Sequence, residues 1–134
     1  MRQIFFAFIM LAFVCSSSKI FAQDNPKNEI LTEINLKTYY FQHLQGGVTI
    51  NEEGLLTLNG VKMDIKNSEI GYQYSDEGDS FIYFLTVDGT ESYEAWNSGE
   101  LLFKTNNVLH IMNSDDQAME MVVLFNLLKS LYAS

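Results

Sequence analysis

The sequence predicts an α+β fold: an antiparallel array of seven or eight strands, forming one sheet or a partly open barrel, packed by a C-terminal amphipathic helix and preceded by a short N-terminal helix. Three observations carry this. Apolar residues recur at intervals of three and four near the C-terminus, from Ala118 to Tyr132. Between positions 48 and 112 the chain runs instead in short β-branched and aromatic stretches broken by turn residues. The one Pro of the chain, Pro26, follows Asp24-Asn25, a helix-starting arrangement.

That start predicts a helix over 26–37, because Asp or Asn caps free backbone N–H groups and Pro suits the first helical position. Ile30, Leu31 and Ile34 share one face of it, while Lys27, Glu29, Glu33 and Lys37 fall mostly elsewhere. Residues 38–44, Thr-Tyr-Tyr-Phe-Gln-His-Leu, read equally as an extension of the helix toward Gly46-Gly47 or as the start of a strand.

The strands follow in order. Residues 48–51 turn through Glu52-Glu53-Gly54 into 55–58. Asn59-Gly60 is a two-residue hairpin signal, since both residues tolerate positive φ, and 61–65 answers it. Residues 70–74 lead through Ser75-Asp76-Glu77-Gly78-Asp79 into 80–87. Asp88-Gly89 is read as the next tight turn, with 91–96 returning. After Asn97-Ser98-Gly99-Glu100, residues 101–112 form one long strand or a hairpin about Asn106-Asn107. Phe81, Tyr83, Leu85 and Val87 alternate with Ile82 and Phe84, and a strand apolar on both faces belongs in a central or covered position.

The closing helix is expected over 115–132. Ser114 stands three residues before Gln117 at the spacing of a capping box, and Asp115 and Asp116 put negative charge at the positive end of the helix dipole. Ala118, Met121, Val122, Phe125, Leu128 and Tyr132 form its apolar face, joined by Leu124 and Leu131. Burying four large side chains of such a face contributes on the order of 6 to 12 kcal/mol before entropy.

Residues 1–22 read as a signal peptide, with 23–134 as a single β-rich domain. Arg2 precedes an apolar run over 4–14, too short to span a bilayer, and Ala22 supplies the small residue before the cut. An uncleaved N-terminal anchor is the alternative. Phe21-Ala22-Gln23 resembles the end of export signals in the Bacteroidetes group of bacteria, which implies a periplasmic or extracellular destination. Cys15 invites a lipoprotein reading, but the bulky Val14 before it fits that processing badly. Beyond residue 22 there is no cysteine, so thiol catalysis, thiolate metal sites and disulfides drop out together.

Charge excludes other partners. The chain carries 17 acids against 8 Lys and Arg, a formal net charge of −9, and removing residues 1–22 takes away two of the bases, Arg2 and Lys19. Nucleic acids and anionic membrane surfaces are bound by Lys and Arg that displace counterions, so neither is expected as a partner.

The run Ile111-Met112-Asn113-Ser114-Asp115-Asp116-Gln117-Ala118, followed by Val122, Val123, Leu127, Leu128 and Leu131, comes after an antiparallel array. In this order the chain, over residues 48–132, resembles the pleckstrin-homology-like superfold, through pattern and order and without a signature residue. The resemblance implies a scaffold used mainly for recognition. Phosphoinositide-binding members use Lys and Arg in the first hairpin loop. Here that loop is Asn51-Glu52-Glu53-Gly54, so headgroup binding is not carried over.

No constellation for chemistry assembles from the remaining residues. His43 and His110 have no nucleophile-elbow motif to serve, and His110, between Leu109 and Ile111, is expected to face solvent or pair across the sheet. The acids of 75–79 depart from the calcium-loop pattern and read as a solvated hairpin tip. Gly46-Gly47 lacks the Lys of a phosphate-binding loop and reads as a hinge or helix stop. Tyr72 and Tyr74, at alternate strand positions, read as one face of a core, with a binding face as the alternative. No catalytic residue, metal ligand or cofactor is therefore assigned. The expected function is that of a secreted or periplasmic, non-enzymatic recognition module binding a protein or peptide partner through a sheet edge or an aromatic patch. Tyr39, Tyr40, Phe41 and Trp96 are the candidate binding residues. A carrier holding a small apolar ligand between sheet and helix is the alternative. The sequence leaves the oligomeric state open.

Overall fold

The computed structural model describes residues 25–133. The proposed signal segment and Cys15 lie outside the described residues. Helix α1 spans Pro26–Leu36, capped by Asn25, whose side chain accepts a hydrogen bond from Lys27 N. A 3-10 turn over Thr38–Tyr40 follows. The strands are β1 (Thr49–Ile50), β2 (Leu55–Leu58), β3 (Val61–Asp64), β4 (Ser68–Tyr74), β5 (Ser80–Thr86), β6 (Tyr93–Asn97), β7 (Glu100–Thr105) and β8 (Asn107–Met112). Helix α2, Asp115–Ser130, closes the fold behind Ser114, whose hydroxyl accepts from Gln117 N at 3.2 Å.

The fold is α+β and every strand pairing is antiparallel, but the strands divide between two sheets. A five-stranded sheet has the order β1-β2-β3-β6-β7, a three-stranded sheet the order β4-β5-β8, and they do not close into a barrel. The expectation of a single sheet or barrel is corrected by the crossings between them. After β3 a 3-10 turn, Ile65–Asn67, carries the chain into the small sheet. The turn at Asp88-Gly89 forms, with Gly89 N donating to Thr86 O at 3.3 Å, yet β6 does not return against β5; it joins β3 and β7. Residues 101–112 are neither one strand nor a hairpin. β7 belongs to the large sheet and β8 to the small one, and the chain passes between them at Asn106, whose carbonyl accepts from Thr86 N.

The Asn59-Gly60 hairpin forms with both residues at positive φ, and it registers Leu58 against Val61. β5 is central in its sheet, as its composition predicts. Ile82 and Phe84 are fully buried, whereas its second face stays open to solvent: Leu85 is exposed and Phe81 and Tyr83 half-buried. Tyr72 and Tyr74 share a face with the buried Ile70, but both are exposed, so the expected core face of β4 stops at Ile70.

Core side chains from both sheets and both helices form one cluster, in which Ala118, Met121, Phe125 and Leu128 are the fully buried face of α2. Phe125 meets Phe84 edge to face at 5.2 Å. α2 also covers the edge of β4: Lys129 Nζ donates to Ser68 O at 2.7 Å and Asn126 Nδ2 to Ile70 O at 3.1 Å, satisfying carbonyls that a bare edge would present to other chains. At its N-terminus, Ser80 Oγ donates to Asp115 Oδ1 at 2.6 Å. α1 is tied to the loop before β1 by Asn35, which accepts from Val48 N at 2.7 Å and donates to Val48 O at 2.9 Å.

Candidate binding groove at the edge of β8

The segment open to two readings, 38–44, is neither helix extension nor a full strand. After the 3-10 turn, Phe41 makes a single antiparallel bridge to Met112. Gln42 N donates to Ile111 O and Asn113 N to Tyr40 O, both at 2.9 Å. The chain then turns away, its loop held by Asn59, whose Nδ2 donates to His43 O at 3.4 Å and whose Oδ1 accepts from Gln45 N at 3.4 Å.

That departure leaves β8 unpaired on one side. Backbone groups of successive strand residues point to opposite sides. Ile111 O turns toward Phe41 and Asn106 O toward β5, so by alternation Leu109 directs its N–H and C=O to the open side. Tyr83 on β5 is the one strand partner of Leu109 among the described residues. Along this edge lies a cavity of about 280 Å³, with Val108, Leu109, His110 and Ile111 on one side, Asn59 and Val61 of the β2–β3 hairpin on the other, and Phe41 and His43 beside them. No Asp, Glu, Lys or Arg lines it.

Of the two placements expected for His110, it takes the one that pairs across the sheet and does not face solvent. It lies opposite Ile82 on the inner face of the small sheet, edge to face with Phe41 at 5.7 Å and Phe84 at 6.1 Å. Its Nε2 is buried without a hydrogen-bond partner among the described residues. Burial disfavours the imidazolium and pushes the pKa from 6.5 down to about 4, so the ring is neutral at neutral pH. The groove thus presents two imidazoles and an amide in an apolar frame, with no carboxylate to orient either ring as a general base.

The four residues singled out in the sequence are not brought together. Tyr39 is on the surface, 66 % exposed, its ring edge-on to Tyr40 at 5.0 Å. Tyr40 is buried and donates from Oη to Glu120 Oε1 at 3.0 Å, clamping the turn after α1 to α2, and burial with this bond raises its pKa to about 12. Phe41 is buried and forms one wall of the groove. Trp96 lies in the other sheet, half-buried, donating from Nε1 to Glu94 Oε1 at 3.0 Å with Lys62 Nζ 4.9 Å from its ring centre. Val61, Val108 and Leu109 were not signalled by the sequence as site residues. They look like ordinary strand residues, and only the gap between β8 and the β2–β3 hairpin makes them a surface.

A second cavity, of about 500 Å³, lies at the start of α1 and is polar, bounded by Asn25, Asn28, Asn51 and Glu52. Lys27 Nζ stands there 4.0 Å from the ring centre of Tyr132. The acids of 75–79 are exposed and the turn is held by Ser75, whose Oγ accepts from Glu77 N and Asp79 N. Among the described residues no group of three or more His, Cys, Asp or Glu is placed to hold a metal ion, and no helix is long and apolar enough to cross a membrane.

The fold and groove define an α+β domain with an open strand edge beside an uncharged cavity. No protein-family model matches the chain, and no curated protein and no solved structure is similar enough to count as a match.

Proposed function

We propose that this chain is an exported, non-enzymatic recognition module that takes an extended segment of a protein or peptide partner onto the open edge of β8. The observation that carries the reading is the bridge from Phe41 to Met112, which ends where the 280 Å³ cavity begins. The chain itself pairs with this edge for one residue and then leaves, so the N–H and C=O of Leu109 stand free above an apolar floor. Strand addition uses such a pair of features: main-chain bonds give affinity, and a pocket for alternate side chains gives selectivity. An uncharged lining selects an apolar, uncharged segment, because a charge brought there would lose its hydration without a counter-charge. The likeness to the pleckstrin-homology-like superfold and the export signal support the same reading. The alternative, a carrier, needs space between sheet and helix, where Met121, Phe125 and Leu128 are fully buried in the core, and it is the weaker reading for that reason.

The test is selection of random peptides on the immobilised protein, followed by calorimetric titration of the selected sequence. The expected winners are extended and apolar at alternate positions. Leu109→Pro, which deletes the free N–H, and Val61→Lys, which charges the groove, should each weaken binding about tenfold or more, with Trp96→Ala unchanged. Selection of no peptide, or binding indifferent to both groove variants, would overturn the proposal.

A further inference from the structure

We propose that a second copy of this chain docks on the free edge of β7, joining two five-stranded sheets across a two-fold axis. β7 is the outermost strand of its sheet and, among the described residues, pairs with β6 alone. Residues 100–104 are exposed on both faces, with Leu102 at 55 % and Phe103 at 58 %. A free edge carrying Leu101-Leu102-Phe103 with neither face covered is the kind of surface that proteins otherwise protect.

The pairing of β7 on β6 dictates what fits. Leu101 stands opposite Trp96 and Phe103 opposite Ala95, so a bulge gives β7 one extra residue, Leu102. Trp96 and Ala95 are adjacent on β6 and face opposite ways, hence Leu101 and Phe103 do too. Lys104 opposes Glu94 and shares the Trp96 face; Glu100 and Thr105, opposite Asn97 and Tyr93, share the Ala95 face, and in the proposed pairing the bulged Leu102 turns with Phe103. Trp96 N donates to Gly60 O, away from β7, so Leu101 opposite it turns its own backbone groups to the free side, and Lys104 does the same by alternation.

An antiparallel mate meets these facings best in one register, since pairing Leu101 with itself would oppose Leu102 to Glu100 and pairing Lys104 with itself would oppose two ammonium groups. Leu101 opposes Lys104 of the second copy, and the two-fold axis repeats the pair; all four backbones have bonding groups on that side. Leu102 then opposes Phe103 of the second copy on the other face, gathering four apolar side chains at the axis, and Glu100 opposes Thr105. A shift by one or two residues either way leaves opposed residues on opposite faces or the axis cluster unmatched. The area so covered is on the order of 1,000 Å², the low end for specific interfaces, which fits a reversible dimer. The other edge of the sheet, β1, is two residues long, so pairing stops at two copies. Each chain carries a net charge of −9, so the copies repel and added salt should tighten the dimer.

The test is sedimentation equilibrium of the protein up to about 1 mM, at low and high salt. A monomer–dimer equilibrium that strengthens with salt is expected. Phe103→Lys, which charges the axis cluster, and Lys104→Pro, which removes an outward N–H without touching the β6 ladder, should each raise the dissociation constant about tenfold or more. In the exported form, which lacks Cys15, mixed Leu101→Cys and Lys104→Cys chains should cross-link to each other in preference to themselves. The groove variant Leu109→Pro should dimerise normally, which separates this surface from the peptide groove. A monomer at every concentration, or a dimer that neither Phe103→Lys nor Lys104→Pro weakens, would overturn the inference.

Discussion

Tyr93 Oη donates a 2.7 Å hydrogen bond to Ser68 Oγ, and this buried contact joins the two sheets. Ser68 Oγ in turn donates to Asp64 O at 2.8 Å, so both hydroxyls at the crossing from β3 to β4 are paired. A buried hydroxyl without a partner costs more than the bond it loses, since its desolvation is no longer offset. Ser68→Ala should therefore destabilise the protein by about 1 to 3 kcal/mol, and the double variant Ser68→Ala with Tyr93→Phe by less than the two single effects added together. Urea denaturation of the four proteins measures this.

His110 gives the fold a sensitivity to acid. Its folded pKa of about 4 lies below the ordinary 6.5, so the unfolded chain takes up this proton first as pH falls. The stability contributed by keeping the ring neutral is complete above pH 6.5 and declines between pH 6.5 and about 4, by on the order of 3 kcal/mol. His110→Leu keeps an apolar side chain between Phe41 and Phe84 and should remove this part of the slope. Denaturation midpoints at a series of pH values check it.

Asn35 fastens α1 to the large sheet through both backbone groups of Val48, and its Nδ2 also reaches Leu31 O at 3.1 Å. Asn35→Leu leaves Val48, a buried residue, with its N–H and C=O unpaired. The expected loss is about 2 to 4 kcal/mol, with amide exchange rising first at Val48 and along α1. Uniform protection across the chain would contradict this.

Gly71 lies directly opposite Tyr83, and a Cβ there would stand 2.5 Å from Tyr83 Oη. The Tyr83 ring covers the glycine, and its hydroxyl donates to Glu69 Oε2 at 3.4 Å. Gly71→Ala should swing the half-buried ring aside, break that bond and cost no more than about 1 kcal/mol, because β-propensity gained at 71 offsets part of the lost contact. The chemical shifts of the Tyr83 ring would report the movement.

Local chemistry made much of this legible in advance. Asn25-Pro26 and Ser114 favour helix starts because capping is settled within a few residues, although among the described residues Gln117 Oε1 stays unpaired and does not complete the capping box. Asn59-Gly60 makes its hairpin for the same reason. The α2 face was readable from Ala118, Met121, Phe125 and Leu128, since burial of a helix follows its period. The groove was not. It is assembled from Phe41, His43, Asn59, Val61 and residues 108–111, and nothing local tells that these three stretches meet.

Most elements, with their caps and turns, follow from neighbours along the chain; residues 38–44 and the break at Asn106 do not, because no local signal sets them. Long-range packing settled which strand meets which: β6 leaves β5 for β3, β7 and β8 part at Asn106, and His110 turns inward. Strand pairing is a competition among long-range partners with similar alternation, and the winner is set by how completely all apolar faces can be covered at once. The two open edges, at β7 and beside Leu109, are what that arrangement leaves uncovered.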